Sequence, residues 1–131
     1  EEKGRAHLYR LNPENPISQP LKKAYGLAQV LSSRPVERLL EADGGIISIA
    51  LFGSYADGSF DEKSDVDILI IGSAKKEEIA EATRRLEGEL RRTVNVSLLK
   101  LSDWRQLAKK GDAFHKKVVE NHVLLFGSGL T

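Results

Sequence analysis

Two apolar segments separated by a short polar connection constrain the fold of this chain most. The first, Ile46–Phe52, is rich in β-branched residues and apolar on both faces, which is typical of a central strand covered from two sides. The second, over residues 65–71, opens with alternating acidic and apolar residues and closes as an apolar run. The ten residues between Ser54 and Asp65 allow the two strands to be neighbours and antiparallel. We therefore expect the end of the first strand to lie beside the start of the second.

The rest of the chain reads as helices and two further strands. In chain order, the pattern predicts a helix over 20–31, a short helix from Pro35 that Gly44 and Gly45 end, an amphipathic helix over 75–92, a third strand over 94–101, a helix capped by Ser102, a last helix over about 112–121 and an edge strand over 123–126. This order predicts an α/β (α+β) domain with a mixed β-sheet of three to four strands flanked by helices.

Composition excludes several classes of protein. The chain has 131 residues, 40% of them hydrophobic, which suits one globular domain. Its formal net charge of +1 gives no overall electrostatic attraction to nucleic acid or to a membrane. The longest apolar run, Ile46–Phe52, is far shorter than the roughly 20 residues that cross a bilayer.

Because there is no Cys and no leader pattern, we expect a cytoplasmic location without disulfides. Because there is no Met, we expect Glu1 to follow an earlier part of a longer chain.

Acidic residues at the start of the second strand are the strongest chemical signal. Asp65 and Asp67 project from the same face, roughly 7 Å apart along the strand. Two carboxylates this close repel each other and favour a metal ion or a proton. Mg²⁺, or Mn²⁺, suits them, since it prefers oxygen ligands and is commonly completed by substrate phosphate. The turn at Gly53 lets backbone amides approach a phosphate, and Ser54 adds a hydroxyl donor.

The run of Gly53, Ser54, ten residues, Asp65, Val66 and Asp67 between apolar strands resembles the signature of the DNA polymerase beta-like nucleotidyltransferase superfamily in its minimal form. The resemblance covers roughly residues 39–126 and implies a nucleotidyltransferase-like mixed sheet. It implies that the two aspartates hold Mg²⁺ on a nucleoside triphosphate, while Gly53 and Ser54 position the terminal phosphates. An acceptor hydroxyl would attack the α-phosphate, and pyrophosphate would leave. Because superfamily members modify small molecules, nucleic acid ends or partner proteins, the acceptor stays open.

The beginning of the chain carries a second resemblance. Residues 4–16 are similar to the wing strand and linker that join a winged-helix DNA-binding domain to such a module in prokaryotic regulators. This resemblance implies that residues 1–18 are a wing-like strand and linker from a preceding domain. Residues 19–131 would then form the minimal nucleotidyltransferase-like domain, and DNA would be contacted only through the preceding domain.

The chain departs from the superfamily pattern at the third acidic position. A right-handed crossover places the third strand parallel to the second, so that its start lies beside the aspartates. The matching residue is Asn95, which can ligate a cation through its carbonyl oxygen but cannot accept a proton. General-base catalysis is typically worth about 10²–10⁴ in rate, so we expect reduced activity. Asp61 or Glu62 could substitute for the missing acid, whereas Asp57, where related turns often carry Arg, gives phosphate no help.

Three hypotheses follow. The first is a domain that binds Mg-nucleoside triphosphate and transfers a nucleoside monophosphate to a hydroxyl acceptor, with reduced activity. The second is a non-catalytic nucleotide-sensing or interaction module of a winged-helix regulator, with a homodimer as one version. The third is an antitoxin-type protein that modifies its partner. The remaining candidates have structural explanations: packing or surface roles for His115 and His122, packing of the last helices for Trp104, and a solvated outer helix for Arg84, Arg85, Arg91 and Arg92.

Overall fold

A computed structural model of the chain describes residues 14–131. In chain order its elements are α1 (Ser18–Ser32), α2 (Pro35–Ala42), β1 (Ile46–Phe52), the short helix α3 (Ser54–Asp57), β2 (Val66–Gly72), α4 (Lys76–Leu90), β3 (Val94–Leu99), α5 (Leu101–Lys110), α6 (Ala113–Glu120) and β4 (His122–Gly127). Residues 4–13 of the predicted wing strand and linker lie outside the described residues.

The four strands form one mixed sheet in the order β3-β2-β1-β4. β1 pairs antiparallel with both β2 and β4, whereas β2 pairs parallel with β3 across the α4 crossover. These pairings confirm the predicted central strand, the antiparallel first pair and the parallel third strand. In the register, Phe52 is opposite Asp67, and Asp67 is opposite Asn95.

Helices cover the two faces of the sheet and bury two apolar clusters. On one face, side chains such as Val30 of α1, Leu39 of α2 and Leu86 of α4 pack on alternate residues of β1 and β2. On the other face, Trp104 of α5 and Val118 of α6 pack on the remaining alternate residues, which are Ala50, Phe52, Leu69 and Ile71. Asp67 has the parity of Leu69 and Ile71, so it projects toward the face that α5 and α6 cover.

The predicted start of α5 was wrong. The helix begins at Leu101 with Lys100 as its N-cap, and β3 ends at Leu99. Leu101 packs against the second apolar cluster, which turns the chain into the helix early and leaves Ser102 exposed in its first turn. Burial of an apolar side chain outweighs the modest preference for Ser as a cap.

Two ends of helices also differ from the prediction. α4 ends at Leu90, because Arg91 adopts a left-handed conformation with φ of 55°, so Arg91 and Arg92 do not lie on the outer helix. α6 ends at Glu120, and His122 opens β4. Among residues 14–131, no helix has the length and apolar content that crossing a membrane requires.

Candidate active site

The turn after β1 lies directly against Asp67. Gly53 has φ of 73° and ψ of −152°, a conformation that favours glycine. A Cβ atom on Gly53 would collide with Oδ2 of Asp67. Glycine is therefore required here twice, by its backbone conformation and by the close approach of the carboxylate. Ser54 follows as the first residue of α3 and is half-buried.

Asp65 and Asp67 converge on one side chain. The Nδ2 atom of Asn95 donates hydrogen bonds to Oδ2 of Asp65 over 3.0 Å and to Oδ1 of Asp67 over 3.2 Å. The residue before β2 and the second residue of β2 thus meet the second residue of β3 at one edge of the sheet. Asp65 and Asn95 are exposed and Asp67 is half-buried, so the group is accessible to a ligand.

The electrostatics of Asp67 favour a positive partner. Burial raises the pKa of its carboxyl group above the usual value, and the nearby charge of Asp65 raises it further. The hydrogen bond from Asn95 and the positive charge of Lys117 oppose this rise in pKa. Ionisation of Asp67 in the folded protein is thus less favourable than in water. A cation between the two carboxylates would stabilise the ionised form.

The donor set fits Mg²⁺ held together with a substrate. Among the described residues, no group of three or more His, Cys, Asp or Glu side chains could hold a metal ion. Asp65 and Asp67 supply two carboxylates, and the Asn95 amide can turn its oxygen toward the same point. Mg²⁺ usually keeps several waters and binds through one or two carboxylates plus substrate phosphates. Two carboxylates beside a glycine turn match that pattern.

The structure adds two residues at this site that the sequence did not indicate. Asn121, which follows α6, donates from Nδ2 to the carbonyl of Gly53 over 3.0 Å and to Oδ2 of Asp57 over 3.3 Å. Lys117 of α6 brings a positive charge close enough to lower the pKa of Asp67. Both depend on where α6 packs, and no local motif marks them. The edge-to-face contact of Phe114 on Phe52, with ring centroids 5.7 Å apart, holds α6 in place.

Asp57 is engaged within its own turn. Its Oδ1 accepts a hydrogen bond from the backbone N–H of Ser59 over 2.8 Å, and its Oδ2 accepts the bond from Asn121. Its backbone carbonyl accepts a hydrogen bond from Nε2 of Gln19 on α1 over 2.5 Å. These bonds give the carboxylate of Asp57 a structural role beside Gly53.

Asp61 also stabilises its own loop. Its Oδ1 accepts hydrogen bonds from the backbone N–H of Lys63 over 2.8 Å and the hydroxyl of Ser64 over 3.2 Å. These bonds lower the pKa of Asp61. Arg92 ties down the same loop by donating to the carbonyls of Asp61 and Ser64, over 2.9 and 3.0 Å. The structure thus gives Asp61 a local structural role, and Arg92 is a loop anchor rather than part of a solvated helix.

The aromatic and histidine candidates have packing roles. Trp104 is buried, donates from Nε1 to the carbonyl of Leu130 over 2.8 Å, and lies against His115 with ring centroids 4.3 Å apart. Nδ1 of His122 lies 2.9 Å from the carbonyl of Val118. The predicted packing role of Trp104 is confirmed.

Comparison with known proteins identifies the family. Residues 33–128 match the profile of the nucleotidyltransferase domain family. That match spans most of the chain, so the protein belongs to the nucleotidyltransferase domain family. The resemblance read from the Gly53 to Asp67 segment is thereby confirmed.

Known proteins resemble this chain in sequence and in fold. A protein of Methanocaldococcus jannaschii, named a protein adenylyltransferase, is 34% identical over 83 residues, covering 63% of this chain and 81% of that protein. A crystallised toxin-antitoxin with AMP-PNP has a TM-score of 0.52 at 23% identity, covering 73% of each chain. A spectinomycin adenyltransferase from Enterococcus faecialis, with ATP and spectinomycin, has a TM-score of 0.50 at 13% identity, covering 74% of this chain and 56% of that one. At these identities the structures show a shared fold.

Proposed function

We propose that this domain binds a nucleoside triphosphate with Mg²⁺, or Mn²⁺, and transfers the nucleoside monophosphate to a hydroxyl group at a reduced rate. The convergence of Asp65 and Asp67 beside the Gly53 turn carries the proposal. It places two oxygen ligands next to a stretch of backbone where phosphate can approach without a Cβ atom in the way. Membership of the nucleotidyltransferase family supports it.

Each residue of the site has a distinct task in this proposal. Asp65 and Asp67 hold the cation, and Gly53 and Ser54 position the terminal phosphates. Mg²⁺, when bound, would neutralise charge on the triphosphate and on the leaving pyrophosphate. Lys117 adds a positive charge on the same side of the sheet, where it favours the anionic substrate. Asn121 fixes the Gly53 carbonyl and keeps the carboxylate of Asp57 turned back into its loop.

The transfer exchanges one bond for another. The acceptor oxygen forms a bond to the α-phosphorus, the bond from that phosphorus to the bridging oxygen breaks, and pyrophosphate leaves with the electron pair. The hydroxyl proton passes to solvent, because the amide of Asn95 has no basic atom to receive it. The lack of a positioned base costs about 10²–10⁴ in rate.

The acceptor that we propose is a hydroxyl group on a partner protein, and the nucleotide is ATP. The name of the 34% identical relative supports both choices, since it describes a protein adenylyltransferase. This version includes an antitoxin-type protein that modifies its partner. The wing-like segment over residues 1–18, with DNA contacted through a preceding domain, is compatible with it and stays a separate proposal.

A second candidate function is nucleotide sensing without transfer. The observation that favours it is the position of the Asn95 amide, whose nitrogen is within 3.2 Å of both carboxylates. The third acidic position is thus filled by an amide that can ligate a cation through its oxygen once it turns, and that cannot act as a base. Such a domain would bind Mg-nucleotide and report its presence to an attached domain or a partner.

Incubation with α-labelled ATP, Mg²⁺ or Mn²⁺ and candidate protein acceptors tests transfer. We expect slow labelling by the wild type, faster labelling by Asn95→Asp, and none by Asp67→Ala. Labelling at equal rates in wild type and Asp67→Ala would contradict transfer at this site. Nucleotide binding by calorimetry without labelling in any variant would support sensing, and no binding would exclude both functions.

A further inference from the structure

The outward face of α1 is an apolar stripe. Its members are exposed and recur at alternating spacings of four and three residues, which keeps them on one side of a helix: Ile17, just before the helix, and then Leu21, Ala24, Ala28 and Leu31. The side chains of Ile17, Leu21 and Leu31 are 53%, 44% and 48% exposed. We call these five residues the α1 stripe.

The α1 stripe differs from the exposed face of an ordinary surface helix. The outward face of α4, of similar length, carries charged residues such as Glu77, Glu81 and Arg84. Within α1 the charged residues are Lys22 and Lys23, and neither falls in the stripe. The Nζ atom of Lys22 lies 4.9 Å above the ring of Phe60, on the packed side of the helix. A contiguous apolar face without charges marks a surface that another apolar surface covers.

We propose that the α1 stripe pairs with the same stripe of a second copy of this chain, antiparallel, about a two-fold axis near Gly26. In a two-fold interface the same patch of both copies is in contact, so the patch must be self-complementary. The order Leu21, Ala24, Ala28, Leu31 reads the same in both directions about residue 26. Antiparallel pairing therefore places Leu21 of each copy against Leu31 of the other, and Ala24 of each copy against Ala28 of the other.

Size and charge of the side chains fit this arrangement. Two central alanine layers let the helices approach closely, and a leucine layer closes each end. Lys23 of one copy is then opposite the neutral Gln29 of the other. A parallel arrangement would bring the exposed Lys23 of one copy beside Lys23 of the other, which like charges disfavour. Charge therefore selects the antiparallel orientation.

The extent of the stripe sets the strength of the dimer. A helix of 15 residues is about 22 Å long, and one helix pair buries less than the roughly 1,600 Å² of a standard stable interface. We therefore expect a dimer that dissociates on dilution. α1 covers the sheet face opposite to the one toward which Asp67 projects, and it precedes residues 33–128 that match the family. Dimerisation thus leaves the candidate active site open.

Sedimentation velocity over a concentration series of the full chain tests the proposal. We expect the wild type to shift from monomer to dimer as concentration rises, and Ala28→Glu to stay monomeric. Leu124→Glu is the matched control, since Leu124 is also an exposed apolar residue, 39% exposed on the edge strand β4. It should leave the association unchanged. A wild type that stays monomeric throughout, or a dimer that survives Ala28→Glu, would overturn the proposal.

Paired charges test the orientation. In the antiparallel dimer, Ala24→Lys with Ala28→Glu places opposite charges in both central layers and should retain association. Ala24→Lys with Ala28→Lys places like charges there and should abolish it. Both pairs are surface changes, and circular dichroism verifies that each variant is folded. Loss of association in the Lys/Glu variant would overturn the antiparallel pairing, because only a parallel pair brings like residues of the two copies together.

Discussion

Asn95 lies directly opposite Asp67 in the parallel pair of β2 and β3, and its amide nitrogen donates a hydrogen bond of 3.2 Å to Oδ1 of Asp67. The same nitrogen is 3.0 Å from Oδ2 of Asp65. A neutral N–H donor thus hydrogen-bonds to both carboxylates where they converge. A cation bound between the two carboxylates would displace the N–H group of Asn95. Cation binding therefore requires the amide to turn.

Replacing Asn95 by Asp exchanges this donor for a third negative charge. Without metal, we expect Asn95→Asp to lower the free energy of unfolding by about 1 kcal/mol, because two hydrogen bonds to exposed or half-buried charges are lost. With Mg²⁺, its thermal midpoint should rise more than that of the wild type. Thermal unfolding in chelator and in excess Mg²⁺ measures both effects. Asn95→Ala loses the bonds without adding charge, and an equal Mg²⁺ response in the two variants would contradict the assignment.

Lys117 is expected to contribute to triphosphate binding. Lys117→Ala removes a positive charge that lies close enough to lower the pKa of Asp67. We expect nucleotide affinity to fall about tenfold, equivalent to about 1.4 kcal/mol, and to depend less on salt. Lys116→Ala removes the neighbouring exposed charge and serves as control. Calorimetric titrations at two ionic strengths measure the difference, and equal affinities for the two variants would count against Lys117.

Asn121 is expected to position the phosphate turn. In Asn121→Ala, the Gly53 carbonyl loses one partner and Oδ2 of Asp57 is released. We expect weaker nucleotide binding, by about tenfold or 1.4 kcal/mol, because the freed carboxylate can face the phosphates. Adding Asp57→Asn should restore part of the affinity, which a purely structural role of Asn121 would not explain. Glu120→Ala is the control, and failure of the second substitution to restore binding would refute this role.

Asp61 is expected to link loop stability to pH. The N–H of Lys63 and the hydroxyl of Ser64 lower its pKa below the ordinary value of 3.8, so the folded state favours the ionised carboxylate. The contribution of the ionised Asp61 carboxylate to the free energy of unfolding is fully present above pH 3.8. It is lost as pH falls through the lower pKa that Asp61 has in the folded state. Asp61→Asn should therefore flatten the decline of stability below about pH 4. Urea unfolding at several acidic pH values measures the slope, with Glu62→Gln as control. An unchanged slope in Asp61→Asn would contradict the assignment.

The central part of the fold follows from local pattern and connection length. The β-branched run of β1 and the brief polar connection to residue 65 predict the antiparallel pair, and the α4 crossover predicts the parallel neighbour. Together these place Asn95 opposite Asp67, as the register shows. The close approach of Gly53 to Asp67 follows from the same pairing.

The features that could not be predicted from the sequence depend on tertiary packing. Asn121 and Lys117 reach the site because Phe114 packs on Phe52, a contact between residues far apart in the chain. The first helical residue of α5 is decided by where Leu101 meets the core, which no capping rule encodes. Arg92 lies beyond the end of α4, and its partners are two carbonyls of a loop distant in the sequence. The assigned roles of Asp65, Asp67, Gly53 and Ser54 remain predictions.

The most direct test of the account is calorimetric titration of AMP-PNP, with and without Mg²⁺, into the wild type and the double variant Asp65→Asn/Asp67→Asn. Asp103→Asn, which removes an exposed carboxylate from the first turn of α5, is the matched control. We expect Mg²⁺-dependent binding to the wild type and the control, and at least about tenfold weaker binding to the double variant, a loss of about 1.4 kcal/mol or more. Equal binding to all three proteins, or binding that ignores Mg²⁺, would show that the two aspartates do not form a nucleotide site.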